Sequence, residues 1–187
     1  MTPWERALLV FATRVPPSVR WMLVGSAATA IRPVPLRPAD VDILLHPEST
    51  ATDLTAVAEV LVTVASPSAG HTSLADFTSS IDVPWAEAGD WTFGRWRVDG
   101  VALELARIRS EVSPLRLVET IGHAVWTTTE IVRWHEMNVP VVPLEVQLAT
   151  NRSRGLSDRA NAIERHFARS RAPEAALLKR AFLGADS

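Results

Sequence analysis

Asp40 and Asp42 stand two residues apart in the run Asp40-Val41-Asp42-Ile43-Leu44-Leu45, a short apolar stretch that reads as a strand. On a strand this spacing turns both carboxylates to one face and Val41 and Ile43 to the other. Two like charges so placed repel unless a cation joins them. A third acid, Glu104, interrupts Val101-Ala102-Leu103-Glu104-Leu105-Ala106, where a lone charge is costly unless it is paired or binds a metal. Hard carboxylate oxygens suit Mg²⁺ or Mn²⁺, and two such ions roughly 3.5 to 4 Å apart can hold the attacking and leaving oxygens of a phosphoryl transfer.

Phosphate recognition needs donors. Arg20-Trp21-Met22-Leu23-Val24 stops at Gly25-Ser26, and Ala27 to Ile31 is rich in small helix-compatible residues. The pattern is strand, tight turn, helix, and it exposes N–H groups at a helix start, where phosphate can bind, with the Ser26 hydroxyl as a further donor. A turn glycine and a helix N-cap are the ordinary structural uses of the same pair. Arg32 and Arg37 lie between this turn and the acids and could meet a triphosphate, while Arg107 and Arg109 follow Glu104; an ordinary surface role is the default for each. Lys179 is the only lysine, so a phosphate clamp here must use guanidinium or backbone N–H groups. His135-Glu136 lacks the second histidine of a zinc motif, Val139 standing four residues on, and reads as a turn. Glu145 suits the first turn of a helix, and Trp85, Trp91 and Trp96 suit core packing.

The elements that must position these residues follow from periodicity. Trp4 to Arg14 is an amphipathic helix ended by Pro16-Pro17. Arg32 to Ala39, with Pro33, Pro35 and Pro38, is a loop leading into the acid-bearing strand. Thr52 to Val64 has a helical apolar face. Residues 66–90 show no clean period and are a candidate flap. Trp91 to Val98 and Val101 to Ile108 form a hairpin through Asp99-Gly100, a dipeptide that favours the type I′ turn. Glu130 to Trp134 and Val139 to Val142 suggest a second short pair, with Pro140 confining its second strand to an edge. Helices are expected over Leu144 to Arg154, over Asp158 to Ala168 with Ser157 as N-cap, and over Glu174 to Phe182.

Length and composition bound the rest. At 187 residues, 47% hydrophobic and 21% charged, the chain can bury a core. It has no cysteine, which excludes a disulfide framework and a thiolate metal site. The formal net charge of -2 offers no general attraction to nucleic acid. No apolar run approaches the roughly 20 residues of a membrane span, and with no basic segment leading into an apolar run near Met1 the expected location is cytoplasmic.

In order and spacing, Val24-Gly25-Ser26, Asp40-Val41-Asp42-Ile43 and Leu103-Glu104-Leu105 resemble the nucleotidyltransferase superfamily of the DNA polymerase beta type. The motif-bearing part spans roughly residues 20 to 108, and three elements in sequence are more specific than any one. Pro143 to Leu148 and Gly155 to Arg159 look like the helical half of small antibiotic-type or toxin–antitoxin-associated members. The resemblance implies an α+β fold: a mixed sheet flanked by helices, with a nucleotidyltransferase core over residues 1–112 and a strand pair and helical layer over 113–187. It implies transfer of a nucleoside monophosphate from an NTP to an acceptor hydroxyl or phosphate on a small molecule, a protein or an RNA end. Asp40, Asp42 and Glu104 would hold Mg²⁺ or Mn²⁺, Glu104 would also assist deprotonation of the acceptor, and Gly25, Ser26 and Arg37 would contact the nucleotide. Members often carry a lysine on the following helix to meet phosphates, where this chain has Thr150, Asn151 and Arg152. The alternative is therefore a nucleotide-binding or regulatory protein of the same fold that holds nucleotide without turnover, such as a toxin–antitoxin component with a partner protein. A third reading is an unrelated α+β domain in which Asp40 and Asp42 are exposed and far from Glu104.

Overall fold

The computed structural model describes residues 1–61 and 76–183. By its internal contacts the chain divides into two compact units, one of residues 1–22 and 38–109, the other of residues 23–37 and 110–187. The second unit takes in the glycine turn and the proline-rich loop as well as the C-terminal part.

In the first unit, helix α1 (Pro3–Arg14) begins with Pro3 at its first position, and the Glu5 carboxylate accepts the Thr2 backbone N–H at 2.5 Å. Both features suit a helix start. The chain passes Trp21 and Met22, the first half of strand β1 (Trp21–Val24), and re-enters this unit before β2 (Asp40–Leu45). Helix α3 (Ala51–Leu61) follows; the expectation for Val62 to Val64, and residues 66–75 of the candidate flap, lie outside the described residues. A short β3 (Ala86–Ala88) precedes the long hairpin of β4 (Trp91–Val98) and β5 (Val101–Ile108). Asp99 and Gly100 both have positive φ, 50° and 83°, as a type I′ turn demands. The strand order is β3-β4-β5-β2-β1, with β2 and β5 parallel and the β3–β4 and β4–β5 pairs antiparallel. Leu8 and Phe11 of α1 are fully buried, as are Val41, Leu45, Leu103 and Leu105 of the strands. Burying each such side chain contributes about 1.5–3 kcal/mol.

In the second unit, the rest of β1 runs directly into the six-residue helix α2 (Gly25–Ala30), without the separate turn the sequence suggests. Strands β6 (Glu130–Trp134) and β7 (Met137–Val141) form a hairpin, and the order is β1-β7-β6. Pro140 therefore does not mark an edge: β7 is paired on both sides and β6 is outermost. Pro140 is tolerated because β7 meets β1 at the single register pair Leu23↔Val141, so its missing N–H interrupts no ladder on that side. His135 and Glu136 make the hairpin turn at φ 42° and 63°. Helices α4 (Leu144–Ser153), α5 (Ser157–Ser170) and α6 (Ala175–Phe182) complete the unit, with Ser157 as the first helical residue and Leu156 as the cap. Their core holds Leu144, Leu148, Ile163 and Phe167. Val34 and Leu36 are packed into that same core, which is why the proline-rich loop belongs to this unit.

Among the described residues no helix is long and apolar enough to cross a membrane.

Candidate functional site

β2 alternates as its sequence predicts: Val41 and Ile43 are buried, whereas Asp40 and Asp42 are partly exposed on the opposite face. On β5, Leu103 and Leu105 are buried and Glu104 is partly exposed. The parallel register places Asp42 directly beside Glu104 and Asp40 beside Ala102. Neighbouring strands lie about 4.8 Å apart. The two strands thus bring the three carboxylates to one face of the first unit, with their oxygens not all within 4.8 Å of one another.

The sequence reading missed the fourth member. Arg95 on β4 is the antiparallel partner of Glu104, on the side away from β2. Its Nε donates to Glu104 Oε1 at 2.7 Å, and the two side chains are 20% and 25% exposed. Arg95 Nη1 donates to the Phe77 carbonyl at 3.0 Å, and the guanidinium lies over the Phe93 ring, 5.1 Å from its centroid. The Arg95 backbone N–H donates to Ser79 Oγ at 2.8 Å, while the Arg95 carbonyl accepts from the Ser79 N–H at 2.8 Å. Arg95 is thereby held against Glu104 from several sides.

Of the two arginines that follow Glu104 along the chain, Arg107 lies on β5 and faces the opposite way. It is buried, with Nη1 on the Ser49 carbonyl at 2.8 Å and Nη2 on Thr92 Oγ1 at 2.7 Å, and burial together with the nearby Arg109 lowers its pKa. Trp96 is buried and meets Trp85 edge-to-face at 5.1 Å. A cavity of about 340 Å³ beside these tryptophans is lined by none of the three acids.

In the second unit, Gly25 takes the positive φ of 66° that glycine allows. Its N–H is already engaged, donating to Glu119 Oε1 at 2.5 Å. Gln147 Nε2 donates to the same oxygen, and Thr29 Oγ1 donates to Gln147 Oε1 at 3.1 Å. Burial pushes the Glu119 carboxyl up from its ordinary pKa, against the opposing pull of these hydrogen bonds and one to Thr150. No feature of the irregular stretch around Glu119 marks this role in the sequence. Ser26 is 5% exposed, and its hydroxyl has no hydrogen-bond partner among the described residues. Val24, not Ser26, is the N-cap of α2.

The remaining candidates divide clearly. Arg37 is exposed, with no ion-pair partner among the described residues. Arg32 is structural: its guanidinium reaches Glu130 at 2.7 Å and the Ala28 and Val142 carbonyls at 2.5 and 3.0 Å, and burial lowers its pKa. Glu145, fully buried, takes Arg171 Nη1 at 2.7 Å and the Glu174 N–H at 2.8 Å. Asn151 donates to the Gln147 carbonyl at 2.7 Å, and Arg152 pairs with Glu164.

A search of solved structures finds one from Thermotoga maritima, described as a "putative nucleotidyltransferase", that matches 88% of this chain and 92% of its own at a TM-score of 0.53 and 18% identity. The two share a fold, and the expected nucleotidyltransferase-type α+β architecture with a mixed sheet is met. No protein-family model and no curated protein matches the sequence.

Proposed function

We propose that the protein is a metal-dependent nucleotidyltransferase, moving a nucleoside monophosphate from an NTP to an acceptor hydroxyl or phosphate. The observation that carries this reading is the direct register of Asp42 with Glu104, with Asp40 on the same face. Three hard oxygen donors on one sheet face suit Mg²⁺ or Mn²⁺. When bound, such ions supply charge neutralisation and orientation of the attacking and leaving oxygens. Asp40, Asp42 and Glu104 would be the ligands. Glu104 would also assist deprotonation of the acceptor. Gly25, Ser26 and Arg37 would contact the nucleotide, the unsatisfied Ser26 hydroxyl being the strongest support among them.

A second reading, nucleotide binding without turnover in a regulatory or toxin–antitoxin role with a partner protein, draws on two specific contacts. Glu104 is already engaged by Arg95, and the Gly25 N–H by Glu119.

Calorimetric titration of the four NTPs with Mg²⁺, on the native protein and on Asp40→Asn/Asp42→Asn, tests the proposal. Metal-dependent binding that disappears in the double variant supports the site. Binding unaffected by the double variant removes the acids from it. Binding without release of pyrophosphate in the presence of candidate acceptors favours the second reading.

A further inference from the structure

We propose that Arg95 is the built-in counter-cation of the acid face, and that a divalent ion binds there by exchange with it, Glu104 Oε1 passing from the guanidinium to the ion. The proposal rests on the metal reading above and adds to it a positioning residue on a third strand.

Asp40, Asp42 and Glu104 would repel one another on a bare sheet face, and Arg95 supplies positive charge at the residue facing Glu104. A guanidinium and a divalent ion that share one carboxylate oxygen at close range repel each other, so each weakens the other's hold on it. The guanidinium is also tethered elsewhere, to the Phe77 carbonyl and over the Phe93 ring. It therefore has contacts to keep when Glu104 leaves, and the exchange need not expel it into solvent. An ordinary surface ion pair would lack both the acids beside it and these second attachments.

The test compares Arg95→Met and Arg95→Lys with the native protein, using free-Mn²⁺ electron paramagnetic resonance for affinity and thermal unfolding in EDTA and in Mg²⁺ for stability. Arg95→Met is expected to bind Mn²⁺ more tightly by roughly tenfold or more, since a competing cation is gone. Its unfolding temperature should fall in EDTA and recover in Mg²⁺, as ligand linkage requires. Arg95→Lys, which keeps the charge, should stay near the native values in both. Native binding with equal or weaker affinity in Arg95→Met overturns the exchange while leaving the metal centre standing. Absence of Mn²⁺ binding in all three proteins overturns the exchange and the metal centre together. A loss of stability in Arg95→Met that Mg²⁺ does not restore identifies Arg95 as a purely structural prop, against the proposal.

Discussion

Asp42 and Glu104 are register partners on parallel strands, and their side chains fall on the face opposite the buried Val41, Ile43, Leu103 and Leu105. Asp42→Asn keeps the size of the side chain and relieves repulsion, so its unfolding free energy is expected within about 0.5 kcal/mol of native. Removing a metal ligand should cost at least about 100-fold in Mg²⁺-dependent NTP turnover, since even outer-shell changes cost 10- to 100-fold. Pyrophosphate release and denaturant unfolding on the same preparation check both halves, and retained turnover sinks the mechanism.

Gly94 faces the same side of β4 as Trp96, and a Cβ there would fall within the Trp96 ring, with Trp85 close behind. Trp96 is 1% exposed. Gly94→Ala is expected to destabilise by about 1–3 kcal/mol, as overpacking does. Urea midpoints of the variant and native proteins measure it, and an unchanged midpoint shows that the tryptophan pair can shift.

Much of this was legible in the sequence, for local reasons. The period-two alternation of Asp40 and Asp42 and the Asp99-Gly100 turn each determine their geometry within a few residues. Counting back from that turn, with Val98 opposite Val101, even puts Arg95 opposite Glu104; the signal was present but unused. Glu119 was not legible, because its partner Gly25 is 94 residues away and the intervening hydrogen bond depends on tertiary packing. The place of β7 was misread because Pro140 argues for an edge only when its missing N–H would face a paired neighbour, and here the pairing with β1 is confined to Val141.

Glu119 gives a pH dependence of definite sign. Burial raises its folded-state pKa, so between the ordinary value of 4.5 and the higher folded value the native state holds a proton that the unfolded state has lost. Stability from this group is thus fully present below about pH 4.5 and falls as pH rises through that window. Glu119→Gln keeps an acceptor for the Gly25 N–H and removes the titration. Its denaturant midpoint should depend less on pH between 5 and 8 than that of the native protein; identical profiles would show that Glu119 does not titrate there.

Glu145 has the opposite sign. Burial alone would raise its pKa, but the hydrogen bonds from Arg171 and the Glu174 N–H outweigh it and hold the carboxyl below its ordinary value. Its contribution is present above the ordinary 4.5 and is lost as pH falls toward the lowered value. Arg171→Ala leaves a fully buried carboxylate short of a charged donor, and is expected to cost about 1–3 kcal/mol at pH 7. Because Arg171 is itself 43% exposed, water replaces part of the loss, and Arg171→Ala in a Glu145→Gln background should cost less than alone. A double-mutant cycle that shows no coupling removes this account.

Ser26 separates structure from function. Its hydroxyl is buried and makes no hydrogen bond among the described residues, and since Val24 caps α2 no capping role explains it. An unsatisfied buried hydroxyl costs stability, so Ser26→Ala is expected to leave the protein as stable as before or up to about 1 kcal/mol more stable. If the hydroxyl instead meets a nucleotide phosphate, the same variant should lose roughly 5- to 20-fold in NTP affinity, the worth of one hydrogen bond to a charged group. Thermal unfolding without ligand and calorimetry with Mg²⁺ and NTP read the two effects separately. A stabilised variant with undiminished NTP affinity would assign Ser26 to packing alone and withdraw it from the binding site, whereas gain of stability with loss of affinity is the expected signature of a residue retained for its ligand.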